Sequence, residues 1–118
     1  MPSRRGEVYD ARLDPVEGSE QAGAGPIVAV SRDAINARVP RIVGVPCTTF
    51  RQGRRVYPSQ VLLRAPEGGL AVDSVALADQ VRARSVGGLT RRRGVLFPIA
   101  MRQIDRALLI ALDLPGRV

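Results

Sequence analysis

The 118-residue chain has no histidine, no tryptophan and no lysine, and only one cysteine, Cys47. Without histidine, a His-based acid–base pair, a Ser–His hydrolase and a Cys–His nucleophile are all excluded within one chain. One cysteine and no histidine fall short of even a three-ligand zinc site of the usual kind, and Cys47 has no internal disulfide partner. Aromatic residues make up 3% of the chain, too few for a broad base-stacking platform. No run of about 18 apolar residues is present, so no membrane-spanning helix is expected. Met1-Pro2-Ser3-Arg4-Arg5 leads directly into strand-like alternation rather than a secretory apolar segment, and a soluble cytoplasmic protein is expected. Any catalysis must therefore come from carboxylates, hydroxyls, backbone N–H groups and arginine.

Arginine is what the chain has in excess. The net charge is +7, and all 18 basic residues are arginine. That balance favours an anionic partner, either nucleic acid or an acidic protein segment. The exclusive use of arginine fits a need for planar forks that grip phosphate, and it equally fits the codon bias of a GC-rich genome. The length suits one domain over residues 1–118, able to bury roughly 65% of its unfolded surface.

The hydrophobic pattern predicts several short strands and one helix. Gly6–Leu13 alternates, Ile27–Val30 is a continuous apolar run suited to a sheet centre, and Arg41–Pro46 reads as a third strand ended by its proline. Residues 32–38 allow one or two helical turns before Pro40, and Cys47–Arg55 reads as a loop. Ser59–Arg64 is a fourth strand, and Ser74–Ala78 a fifth that can run on through Arg82. From Phe97 the apolar residues Phe97, Met101, Ile104, Leu108, Ala111 and Leu112 fall on one face of a helix of about 15 residues. Pro98 suits its first turn, and Pro115-Gly116 stops it. Leu109 and Ile110 lie off that stripe, so the helix has apolar surface for a dimer contact or for wider burial within the monomer. No crossover helix lies between the strands, which favours a small barrel over a parallel α/β sheet.

Particular motifs narrow this further. Arg5-Gly6-Glu7-Val8-Tyr9, Leu13-Asp14-Pro15, the loop Gly18-Ser19-Glu20-Gln21 ending at Gly25-Pro26, and Val30-Ser31-Arg32-Asp33-Ala34 occur in that order. They are followed by Val45-Pro46-Cys47-Thr48-Thr49, Asp73-Ser74-Val75, Asp79-Gln80-Val81-Arg82 and Asp105-Arg106-Ala107-Leu108. The set resembles the MazF/PemK family of toxin–antitoxin endoribonucleases over about 110 residues. The resemblance implies a mainly β fold closed by a C-terminal α-helix, the SH3-like small barrel shared by MazF, PemK and the gyrase poison CcdB. Gyrase poisoning depends on a tryptophan near the C-terminus, which this chain lacks.

It also implies a metal-independent, cofactor-free endoribonuclease that drives a 2′-hydroxyl of single-stranded RNA onto the adjacent phosphate. The products are a 2′,3′-cyclic phosphate and a 5′-hydroxyl, and DNA, lacking the nucleophile, is not cut. Thr48 matches the family's catalytic threonine, donating to a phosphate oxygen; a purely local hydrogen bond is its other reading. Glu20 matches a loop carboxylate that orders the loop or moves a proton, or it is simply solvated. Asp79 matches a general base of PemK-type members, whose paired arginine is replaced here by Leu77. Arg82 matches a recurrent arginine and is expected in a structural ion pair or a dimer contact. Gln21, Thr49, Arg51, Arg54 and Arg55 are expected on the RNA, with Phe50 or Tyr57 for stacking and Arg91-Arg92-Arg93 as an extension or a solvated turn. Cys47 is read as a small buried hydrophobe.

Gly25 is the departure. The family carries a catalytic arginine there. Either Arg51, Arg54 or Arg55 fills the gap, or the sequence is a disarmed toxin, or a silent family member binds antitoxin or RNA without cutting. The partners implied are a second copy of the chain, RNA, and a cognate antitoxin with an acidic disordered tail.

Overall fold

The apolar run at Ile27–Val30 lies at the centre of the sheet, with Ile27, Val28 and Ala29 fully buried. The computed structural model of the chain describes residues 2–13 and 23–116. Along these run β1 (Glu7–Leu13), β2 (Gly23–Ala29), α1 (Asp33–Asn36), β3 (Arg41–Thr49), β4 (Gln60–Leu63), β5 (Ser74–Leu77), β6 (Arg82–Ser85), β7 (Leu89–Val95) and α2 (Pro98–Leu112). Every pairing is antiparallel, in the order β4-β5-β3-β2-β1-β7, with β6 also on β3. The expected mainly β fold with a C-terminal helix is the one observed.

β3 organises the sheet. Arg41–Gly44 pairs with β6, Gly44–Pro46 with β2, and Cys47–Thr49 with β5. The strand therefore runs past Pro46, where an end was expected, and takes in three residues read as loop. Pro46 is tolerated because it lies where the ladder to β2 stops, so its missing N–H costs no further ladder bond there. β5 and β6 continue one another along β3, as the apolar run suggested, but a 3₁₀ turn at Ala78–Gln80 breaks them apart.

The sheet coils until its ends meet. The turn Glu67–Gly69 docks against β7: the Glu67 carboxylate accepts from the Phe97 amide at 2.7 Å, and Arg93 Nη1 donates to the Gly69 carbonyl at 3.2 Å. A Cβ on Gly69 would lie 2.3 Å from the Arg93 carbonyl oxygen, so only glycine allows this approach. β7 was not expected from the sequence. Its arginines form a strand rather than a solvated turn: Arg92 bonds Glu7 at 2.7 Å, Arg93 bonds Asp10 at 2.5 Å, and Arg91 lies 3.4 Å from Asp10, all across to β1.

α2 spans the predicted residues, with Pro98 in its first turn and Asp113 at φ 53° ending it. Its buried face is Ala100, Met101, Ile104 and Ala107, set against Val8, Val28, Val45 and Leu96. The expected stripe fails at both ends, for Phe97 is 69% and Leu112 52% exposed. Leu96 takes the core position instead, because the chain enters the helix through an extended Phe97 that points its ring outward. On the opposite side of the sheet, Ala11 and Ile27 form a second, smaller buried cluster with Tyr9 and Leu89 against it.

Candidate active site

The β2–β3 register decides which residues meet on the face away from α2. Ala29 pairs with Gly44, Val28 with Val45, and Ile27 with Pro46. Two residues further in the same register, Gly25 is level with Thr48. Gly25 is itself paired with Ala11, Ala11 with Leu89, and Thr48 with Val75. Directly opposed residues share a face of the sheet. By direct pairing Leu89, Ala11 and Gly25 make one row and Thr48 and Val75 another; the β2–β3 register, carried past its last pair, aligns the two. Val45 and Cys47 alternate to the α2 core, which turns Thr48 towards the other side.

Within this row Thr48 carries the only polar side chain. It is partly buried, and its hydroxyl makes no hydrogen bond among the described residues. The local bond that would explain a threonine at a strand end is absent, so the hydroxyl is free to donate to a ligand. Thr49 alternates to the opposite face and is exposed, so the structure does not bring it beside Thr48. Glu20 and Gln21 lie outside the described residues.

Arg51, Arg54 and Arg55 follow Thr48 on an exposed loop. Its base is fixed by the Phe50 amide on the Asp73 carbonyl at 2.8 Å, and it turns where Gly53 adopts φ +86°. None of the three makes a salt bridge among the described residues, in contrast to Arg91–Arg93. The two expected stacking rings already carry cations: Arg55 lies 5.2 Å from the Tyr57 centroid and Arg64 5.8 Å from that of Phe50.

Other sequence candidates take different roles. Asp79 Oδ2 accepts from Ser59 Oγ and Gln60 Nε2, each at 3.2 Å, and so ties the start of β4 to the turn between β5 and β6. Arg82, opposite Gly44, shares the face of Thr48, yet it makes no ion pair among the described residues, and its buried Nε has no hydrogen-bond partner. Of the two roles expected of it, the structural ion pair is thus not formed among the described residues. Cys47 is fully enclosed, and burial pushes its thiol up to about 12, which leaves it protonated and inert.

Below the row, Glu7 anchors the same face. Its carboxylate accepts from the Tyr9 hydroxyl at 2.6 Å, the Arg4 amide at 2.7 Å and Arg92 Nε at 2.7 Å. Burial works to raise its pKa, but these hydrogen bonds outweigh it and hold the group below the usual carboxylate range. Tyr9 is shifted up, first by burial and then by its bond to Glu7. Among the described residues no group of three or more His, Cys, Asp or Glu side chains is placed to hold a metal ion. No described helix is long and apolar enough to cross a membrane.

A family model for PemK-like, MazF-like toxins of type II toxin–antitoxin systems matches residues 4–112. The chain belongs to this family. It is 41% identical over 116 residues to the endoribonuclease MazF9 of Mycobacterium tuberculosis, covering 94% of this chain and 97% of that protein. Its structure superposes on a mycobacterial endoribonuclease solved with its cognate antitoxin at a TM-score of 0.80, with 30% identity over 98% of this chain and 99% of that one. MazF from Deinococcus radiodurans shares the fold at a TM-score of 0.78 and 23% identity, over 97% and 99% of the two chains.

Proposed function

We propose that this PemK/MazF-like protein is the toxin of a type II toxin–antitoxin pair and that it cuts single-stranded RNA at the Thr48 row. The observation that carries this reading is the Thr48 hydroxyl, without a hydrogen bond among the described residues and level with residue 25 on the face of the sheet away from α2. The reaction is an internal transfer. The substrate's O2′ forms a bond to phosphorus as the bond to O5′ breaks, one proton leaves O2′, and one arrives at O5′. Thr48 donates to a non-bridging oxygen as charge builds there. Glu20 is the carboxylate assigned to loop order or proton transfer. Arg51, Arg54 and Arg55 track the neighbouring phosphates, helped by the net charge of +7. No step calls for a metal or cofactor.

The protein acts in the cytoplasm as a homodimer, and exposed Phe97, Ile99, Ile110 and Leu112 provide apolar surface for the contact. An antitoxin with an acidic disordered tail folds along the basic face and blocks the site. A second reading is favoured by Gly25, whose missing side chain leaves the row without a cation: a protein that binds RNA or antitoxin without cutting.

The test is incubation with a long unstructured RNA in EDTA, with new 5′ ends mapped, for the parent, Thr48→Ala and Gly25→Arg. Cutting by the parent that Thr48→Ala abolishes supports the nuclease. Cutting by Gly25→Arg alone marks a disarmed toxin, and cutting by neither favours the silent binder.

A further inference from the structure

The Thr48 row does not stop at Val75. Val75 is also paired with Leu62 of β4, the last strand on that side of the sheet. The Phe50 amide donates to the Asp73 carbonyl, so Asp73 turns its backbone groups towards β3, and by alternation Val75 does the same. Leu62, opposite Val75, therefore turns its own N–H and C=O away from β5, to the open edge. The Gln60 amide, two residues earlier, agrees, for it bonds back to the Tyr57 carbonyl at 2.9 Å and not to β5. Outside the ladder, no hydrogen bond among the described residues reaches the Leu62 backbone. An unpaired edge is a template for another strand, and β4 has no charge, proline or register break to blunt it.

A cavity of about 490 Å³ opens along this edge. Consecutive Gln60, Val61 and Leu62 all line it, although alternation sends Val61 to the α2 core and Leu62 to the Thr48 face, so the cavity wraps the edge of the strand rather than one side of it. Across it stand Gln103 and Arg106 of α2. Arg106 is exposed and makes no salt bridge or hydrogen bond among the described residues, and none of the described residues lining the cavity is acidic. An extended segment laid against β4 would set an apolar side chain beside Leu62 and, at the next position, an acidic one beside Val61, on the α2 side where Arg106 stands. A second copy of β4 has no carboxylate to offer there, since it reads Gln60-Val61-Leu62-Leu63.

We infer that the open edge of β4 is a docking surface for an extended acidic peptide segment, which joins the sheet as an antiparallel strand through the Leu62 backbone and answers the charge of Arg106. The inference rests on the reading of the partner as a chain with an acidic disordered tail, and it assigns the contact that tail makes. At ~4.8 Å per strand the added segment lies about 14 Å from Thr48 and continues its row. The tail thus reaches the cutting site from the side of β4.

The probe is an octapeptide of alternating valine and glutamate, blocked at both ends and added to the isotope-labelled protein, with amide hydrogen exchange read residue by residue. In the free protein the Leu62 amide should exchange ~10-fold or more faster than those of Val61 and Leu63, which face β5. Bound peptide should protect Leu62 by ~10-fold or more and should bind ~2–5-fold more weakly to Arg106→Ala, the range of an exposed ion pair. N-methylation supplies the readout that charge alone would not move. In an antiparallel pair the valine opposite Leu62 exchanges both hydrogen bonds with it, so methylating the valine nitrogens should abolish binding, whereas methylating the glutamate nitrogens, which face outward, should leave it within about threefold. Equal binding of the two methylated peptides would mean charge attraction without strand addition, and it overturns the inference. So does a Leu62 amide already protected in the free protein, which would mean that a second copy holds the edge. Peptide-induced changes confined to the Arg51–Arg55 loop, or no binding at all, overturn it as well. RNA cutting by the parent in EDTA reports the nuclease reading separately: cutting without protection of Leu62 removes the docking alone, protection without cutting removes the nuclease alone, and absence of both removes the two together.

Discussion

Gly25 stands level with Thr48 in the register that β2 and β3 set, two residues beyond their last paired position, Ile27 with Pro46. A residue without a side chain thus faces the one free hydroxyl of the row. On the proposed reading, position 48 supplies the donor and position 25 leaves room beside it. The first prediction follows from that division. Thr48→Ala lowers the cleavage rate of single-stranded RNA ~10²–10³-fold, whereas Thr48→Ser, which keeps the hydroxyl, stays within about tenfold of the parent. Single-turnover rates at saturating RNA check it; equal loss in both variants would show that the methyl group, not the hydroxyl, matters.

The Glu7 network predicts how stability responds to acid. A carboxyl held below its usual range in the folded state contributes stability above its unfolded pKa, and that contribution disappears as pH falls through the lower, folded value. The urea midpoint should therefore drop as pH is lowered from about 5 towards 3. Glu7→Gln should be less stable than the parent at pH 7 and show a shallower slope over that window. An unchanged slope in the variant would assign the acid sensitivity to another carboxylate.

Two glycines separate backbone strain from crowding. Gly53 and Gly69 both have positive φ, +86° and +77°, but only Gly69 faces an obstacle, the Arg93 carbonyl 2.3 Å from an added Cβ. Gly53→Ala meets nothing within 4 Å and should cost about 1–2 kcal/mol, the left-handed penalty alone. Gly69→Ala adds the displacement of β7 and should cost a further ~1–3 kcal/mol. Denaturant titrations of the two variants give the comparison directly; equal costs would mean that the 67–69 turn does not close the sheet.

The exposed apolar residues give a prediction about assembly. Ile110 and Leu112 are 44% and 52% exposed on the last turns of α2, beyond what its buried face uses. Light scattering at micromolar concentration should return twice the 12.7 kDa chain mass for the parent. Ile110→Glu combined with Leu112→Glu should shift the protein towards the monomer if the helix end forms the contact. Retention of the dimer would move the contact to Val95, Phe97 and Ile99, which are exposed at the other end of the helix.

Much of this architecture was legible in the sequence wherever a local pattern reports a local cause. The 3.6-residue spacing of Met101, Ile104 and Leu108 located α2, and the apolar run at Ile27 located the sheet centre. Phe97 misled because hydropathy alone does not say that Leu96, one residue earlier, enters the core. β7 was missed because an edge strand carrying three arginines has little apolar alternation, and its stability comes from Glu7 and Asp10 more than 80 positions away. Thr48 was singled out by its motif, but the residue level with it was not. The alignment of positions 25 and 48 depends on strand register, which no short window of sequence contains.

The loop after Thr48 provides the last prediction. Arg51, Arg54 and Arg55 are exposed and form no salt bridge among the described residues, so on the proposed reading RNA phosphates that contact them release the counterions they hold. For single strands each contact contributes about 0.7 to the slope of log affinity against log salt. Arg51→Ala and Arg54→Ala should each lower that slope by roughly this amount and weaken binding of every sequence alike, because a phosphate contact reads no base. Arg55→Ala should differ. Its guanidinium lies over the Tyr57 ring, so the substitution also releases the ring, and a change in preference among RNA sequences is expected beside the loss of slope. Fluorescence anisotropy with 2′-O-methylated strands of several sequences, titrated at four salt concentrations, separates the two effects. Three identical slopes with no change in preference would reduce Arg55 to one more phosphate contact, and three unchanged slopes would place the RNA on another face of the protein.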